Sequence, residues 1–161
     1  MYTKDQQLLS EMAFALTSNN MDGAAHFVDL TTGDVTFIQH EYMFEEHEIT
    51  EDEINSHHDW EQEQIRTYLH HDLIHIEPIH SSVSFRVMEA FADTRTNKRE
   101  LQRLETALTR KRPFANFRYA CEDLGILQQW YDFKNEAEAR QAQQWLKDNV
   151  LEIRDGKIQR K

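Results

Sequence analysis

A single cysteine, two prolines and four glycines are distributed over 161 residues. Cys121 has no second thiol in the chain, so an internal disulfide is excluded. So little glycine and proline leaves little room for a flexible hinge, and residues 1–161 read as one compact domain. No apolar run approaches the roughly 20 residues that a bilayer-spanning helix needs. The opening Met1-Tyr2-Thr3-Lys4-Asp5 lacks the basic-then-apolar order of a secretory signal. These absences together point to a cytoplasmic protein without a membrane-bound part. Motifs that announce chemistry are missing as well. There is no glycine-rich phosphate loop, GxSxG elbow, dinucleotide fingerprint, HExxH, CxxC or helix-turn-helix spacing.

Basic residues are nearly absent from the first half. Residues 1–77 hold Lys4 and Arg66 against seventeen acids, a net charge of −15, whereas residues 78–161 have a net charge of +4. All nine histidines lie between His26 and His80. A total of −11 argues against general nucleic-acid binding. The asymmetry leaves two readings open: the halves attract each other, or the charges are displayed to an external partner.

Hydrophobic residues make up 39% of the chain and fall at regular spacings, so a core is expected. Leu8, Leu9, Met12, Ala13 and Leu16 predict a helix over about residues 5–18. The runs His26–Leu30 and Val35–Ile38, around Gly33, predict a hairpin with Val28, Leu30, Val35 and Phe37 on its buried side. Thr50 with Glu53 forms a capping-box pattern, from which a helix is expected to run to about His71. Leu73–Glu77 reads as a short strand ended by Pro78. Helices are then expected from Ser81 or Ser82 with Val83, Val87, Met88 and Phe91 inward, from Asn97 with Leu101, Leu104 and Leu108 inward, and from Pro113. In the last of these, Phe114, Phe117, Cys121 and Leu124 form the apolar stripe and Gly125 closes the turn. A long or kinked helix follows, from Ile126 through Trp130 to Leu146, and Asp155-Gly156 marks a closing hairpin. The fold class is α+β, with short antiparallel hairpins, a short strand and a predominantly helical C-terminal half.

Four groups could carry chemistry. His57 and Glu61, four residues apart, could share a metal ion on one helix face. The repeated His57-His58-Asp59 and His70-His71-Asp72 triplets would lie about 140° apart around a continuous helix and could not converge without a break in it. Cys121, on an apolar stripe, packs as a small hydrophobe rather than acting as a nucleophile. A dense acidic strip, Glu41, Glu45, Glu46, Glu48, Glu51, Asp52, Glu53, Asp59, Glu61 and Glu63, reads as a solvated helix face or as a mimic of a phosphate backbone. The basic cluster Arg95, Lys98, Arg99, Arg103, Arg110, Lys111, Arg112 and Arg118 either complements helix ends and the acidic half, or forms an anion-binding surface. In the second reading Arg110, Lys111 and Arg112 stand beside the helix starting at Pro113, with Arg99, Arg103 and Arg118 near them.

The order Ile76-Glu77-Pro78, Phe85, Met88-Glu89, Phe91, Leu101/Leu104/Leu108, Arg110-Lys111-Arg112-Pro113-Phe114, Phe117 and Trp130 resembles the bacterial uncharacterised protein family 0158. The resemblance is strongest over residues 68–146 and weak before them. Most of the matching residues are core or capping residues, so the resemblance implies a fold and transfers no catalytic role. The resulting expectation is a non-catalytic interaction or regulatory protein that binds a macromolecule, such as another protein, or an anionic ligand, and needs no cofactor. A homo-oligomer is compatible with it. A metal-dependent hydrolase using first-half His and Glu residues is one alternative, and an acidic inhibitor or immunity-type protein is another.

Overall fold

A computed structural model describes residues 2–19, 23–39 and 48–161. The elements in order are α1 (Lys4–Thr17), β1 (Ala24–Asp29), β2 (Asp34–Gln39), α2 (Glu51–Asn55), α3 (Asp59–His70), β3 (Leu73–Ile76), α4 (Ser81–Asp93), α5 (Lys98–Leu108), α6 (Pro113–Asp123), α7 (Leu127–Asp148), β4 (Leu151–Arg154) and β5 (Lys157–Arg160). With 59% of the described residues in helices and 16% in strands of separate antiparallel sheets, the chain is α+β, as its sequence predicts. Two compact units emerge, one of residues 1–78 with 142–161 and one of residues 79–141. Among the described residues no helix is long and apolar enough to cross a membrane.

The first unit is built on a three-stranded sheet of order β2-β1-β3, antiparallel throughout. His26 and Val28 stand opposite Phe37 and Val35 on one face, where the Phe14 ring of α1 approaches His26. Ala25, Phe27 and Ile38 form the other face, joined by Tyr68 of α3 and Leu73 of β3. Central β1 is therefore covered on both sides, and all six of its residues are buried. This corrects the one-sided hairpin expected from the sequence. Phe37 is 44% exposed, and the buried residue of β2 is Ile38, of the opposite parity. Gly33 closes the β1–β2 turn at φ +84°, and a Cβ there would meet Lys157 Cβ at 2.7 Å and its backbone Cα at 3.2 Å. The Ile158 N–H donates to the Gly33 carbonyl at 2.8 Å, so this turn is anchored on β5.

Thr50 caps α2 as expected, accepting from the Glu53 N–H at 3.2 Å. The helix does not run on to His71, however. It stops at Asn55 and restarts at Asp59. Ser56 Oγ donates to the Glu53 carbonyl at 2.6 Å, and His57 Nδ1–H donates to the same oxygen at 2.8 Å. Two side chains thus occupy an acceptor that a continuing helix would use. Thr50→Ala should cost about 1 kcal/mol through loss of the cap. A urea midpoint that does not move would show that α2 contributes nothing to the cooperative fold.

The second unit is helical. Its core contains Met88, Phe91, Leu104, Ala107, Phe117, Cys121, Ile126 and Trp130, with Leu101 and Leu108 partly buried against it. Asn97 caps α5 by accepting from the Arg99 and Glu100 N–H groups, and Pro113 opens α6 at its first turn. Two details differ from the sequence reading. His80, not Ser81 or Ser82, caps α4 by accepting from the Ser82 N–H at 3.1 Å, and Phe114 is 46% exposed rather than part of the stripe. The final helix, α7, is a single element of 22 residues.

Candidate functional site

Three of the six predicted arginine and lysine positions come together. Arg99 and Arg103 are one turn apart on α5, and Arg110 lies two residues beyond the helix end, bordering the same groove. The far side of α5 carries buried Leu104, with Leu101 and Leu108 packed on the core beside it. The arginines line a groove of about 510 Å³, closed by Thr106 of α5 and by Asp123 and Leu124 at the end of α6. Arg103 pairs with Asp123 at 3.2 Å. Among the described residues, no hydrogen bond or ion pair engages the guanidinium of Arg99 or Arg110. Three cations against one carboxylate leave the groove positive.

The other three predicted positions lie elsewhere. Lys111 and Arg112 form the α5–α6 link, where Arg112 takes a left-handed backbone (φ 53°) without a side-chain cap. The Lys111 carbonyl accepts from Asn116 Nδ2 at 2.6 Å. Arg118 Nε donates to the Tyr131 hydroxyl at 3.1 Å, and this contact raises the arginine's pKa further. The groove thus borders the C-terminal end of α6, whereas the sequence reading placed the anion site at its N-terminus. The negative end of that helix dipole attracts cations, so Arg103 complements it while Arg99 and Arg110 face the groove.

In the first unit His57 and Glu61 do not share one helix face: His57 lies in the α2–α3 break and Glu61 in the first turn of α3. Among the described residues no group of three or more His, Cys, Asp or Glu could hold a metal ion. Of the acidic strip, Glu41, Glu45 and Glu46 lie outside the described residues. Glu51 is engaged by Arg66 through two bonds of 3.1 Å, and the guanidinium holds its carboxyl below the usual range. Cys121 is fully buried, and burial pushes its thiol up to about 12, so a thiolate nucleophile is essentially unpopulated at neutral pH.

One polar assembly escaped the sequence reading. Asp29, 3% exposed, receives the Thr31 and Thr32 N–H groups on Oδ1 at 2.9 and 3.3 Å and His71 Nδ1–H on Oδ2 at 2.6 Å. It therefore locks the β1–β2 turn to the end of α3. The Asp29-Leu30-Thr31 sequence signals the turn, because aspartate readily bonds a backbone N–H two residues on. Nothing local signals His71, which is 42 residues away.

An α+β chain with a helical unit that carries an arginine-lined groove is the class that fold and site define. The chain belongs to the uncharacterised protein family UPF0158, whose model matches residues 2–155. The match takes in the N-terminal part, where the resemblance read from sequence was weak. UPF0158 protein PA5073 of Pseudomonas aeruginosa is 27% identical over 145 residues, covering 89% of this chain and 83% of that protein. No solved structure gives a significant match to the chain.

Proposed function

We propose that the protein acts by binding rather than by catalysis, and that the α5–α6 groove is its contact surface for an anionic group on a macromolecular partner. The observation that carries this reading is the pair Arg99 and Arg110, whose guanidinium groups have no partner among the described residues beside a groove of about 510 Å³. Arginine presents donors in a planar fork that matches carboxylate and phosphate, and two or three such forks on one face define an anion surface. Arg103 is partly committed to Asp123, which leaves Arg99 and Arg110 to carry most of the contact.

The test replaces Arg99, Arg103 and Arg110 together with Gln, and the probes are a capped hexaglutamate peptide and inorganic pyrophosphate. Each exposed pair contributes only about 0–1 kcal/mol, so stability should change little. Affinity for the probes should fall at least about tenfold, and what remains should depend less on salt. A second triple variant, at Lys111, Arg112 and Arg118, should bind nearly as the parent does. Equal losses in both variants would reduce the effect to net charge and remove the groove from the explanation.

A further inference from the structure

The sheet face beneath α1 carries a second concavity, of opposite character. A hollow of about 420 Å³ is bordered by Glu11 and Phe14 of α1 and by Val35 and Phe37 of β2, with His26 of β1 among its lining residues. No lysine or arginine lines it. Phe14 is 66% exposed and Phe37 44%, which leaves two large apolar rings in water at one place. Both lean on the His26 imidazole, at centroid distances of 5.8 and 4.8 Å. His26 is 9% exposed, and its buried Nδ1 has no hydrogen-bond partner. Burial lowers its pKa, so the ring is neutral at neutral pH and brings no positive charge to the hollow. On the rim, Glu11 accepts from Gln7 Nε2 through Oε1 at 3.2 Å. Residues 1–78 and 142–161 together carry a net charge of −13, so the field around this unit draws cations.

We propose that this hollow is a docking site for an arginine side chain of a basic protein segment, which stacks on Phe14 and Phe37 and pairs with Glu11. Each wall selects the same chemistry. Aromatic faces attract a flat cation, and guanidinium stacks on them better than ammonium does. The Glu11 carboxylate accepts its N–H groups, and the buried His26 ring adds no competing charge beside it. An anion would meet the Glu11 charge, and a neutral aromatic group would leave that carboxylate partly dehydrated without a counter-charge. The site lies in a different unit from the arginine groove and is argued from different residues.

The test uses three capped Gly-Ser heptapeptides with arginine, citrulline or lysine at the centre. Binding is followed by the NMR signals of the His26 and Phe14 rings in the full-length protein. Citrulline keeps the shape of arginine and removes its charge. The arginine peptide should shift both rings saturably, and citrulline should bind at least about tenfold more weakly, with lysine in between. Phe14→Ala and Glu11→Gln should each weaken the arginine peptide about tenfold. Phe14 is mostly exposed, so its removal should lower the melting temperature only slightly. The proposal is overturned if citrulline binds as tightly as arginine, if either variant binds as the parent does, or if the His26 and Phe14 signals stay fixed while others move.

Discussion

Phe117→Ala should remove about 3–5 kcal/mol of stability, the largest single effect expected in the helical unit. Phe117 is fully buried, and its ring meets Trp130 edge-on at 4.9 Å and Phe91 at 6.3 Å. Phe91 in turn packs on Trp130 and Phe133, each at 5.4 Å. Removing the first ring opens a cavity at the centre of an aromatic cluster, where rigid neighbours cannot collapse to fill it. Phe114→Ala, on the same helix but 46% exposed, should cost under about 1 kcal/mol. Urea unfolding followed by tryptophan emission measures both, since Trp130 touches the altered site. Similar losses for the two variants would falsify the assignment of Phe117 as the packing centre.

Asp29→Ala should destabilise the first unit by about 3 kcal/mol. The carboxylate is itself buried and satisfies two backbone N–H groups and the His71 ring. Hydrogen bonds to a charged group contribute about 1.5–3 kcal/mol, and the groups left behind cannot all rehydrate. His71→Ala should cost less, because Asp29 keeps its two turn bonds. In a double-mutant cycle the pair should show a coupling of about 1–2 kcal/mol. A cycle that closes at zero would mean that the turn holds α3 by packing alone.

The elements legible in the sequence are those specified within three or four residues. Thr50 and Asn97 cap the helices they precede, and Pro113 opens α6. Asp155 and Gly156, at φ 53° and 76°, make the tight turn between β4 and β5. A cap or a two-residue turn is a local bond, and it forms wherever its chain segment is placed. The break between α2 and α3 had a local signal too. Ser56 and His57 both compete for the Glu53 carbonyl, a short-range contest that the Thr50–Glu53 cap does not reveal.

What tertiary structure decided is which side chains meet. Alternation along β1 predicts one buried face, yet both are covered, because α1 packs on one side of the sheet and α3 on the other. The histidine count was plain, but the Asp29–His71 contact needed β1 brought to the end of α3. Charge behaves the same way. Eight bases between Arg95 and Arg118 are visible in one line of sequence, whereas the choice of Arg99, Arg103 and Arg110 for one groove came from the way α6 ends beside α5. By itself the sequence determined the α+β class, the starts of α2, α5 and α6, and the charge asymmetry, which depend on neighbours along the chain. The groove and the aromatic hollow depend on neighbours in space, and those are chosen by burial of the core rather than by any local pattern.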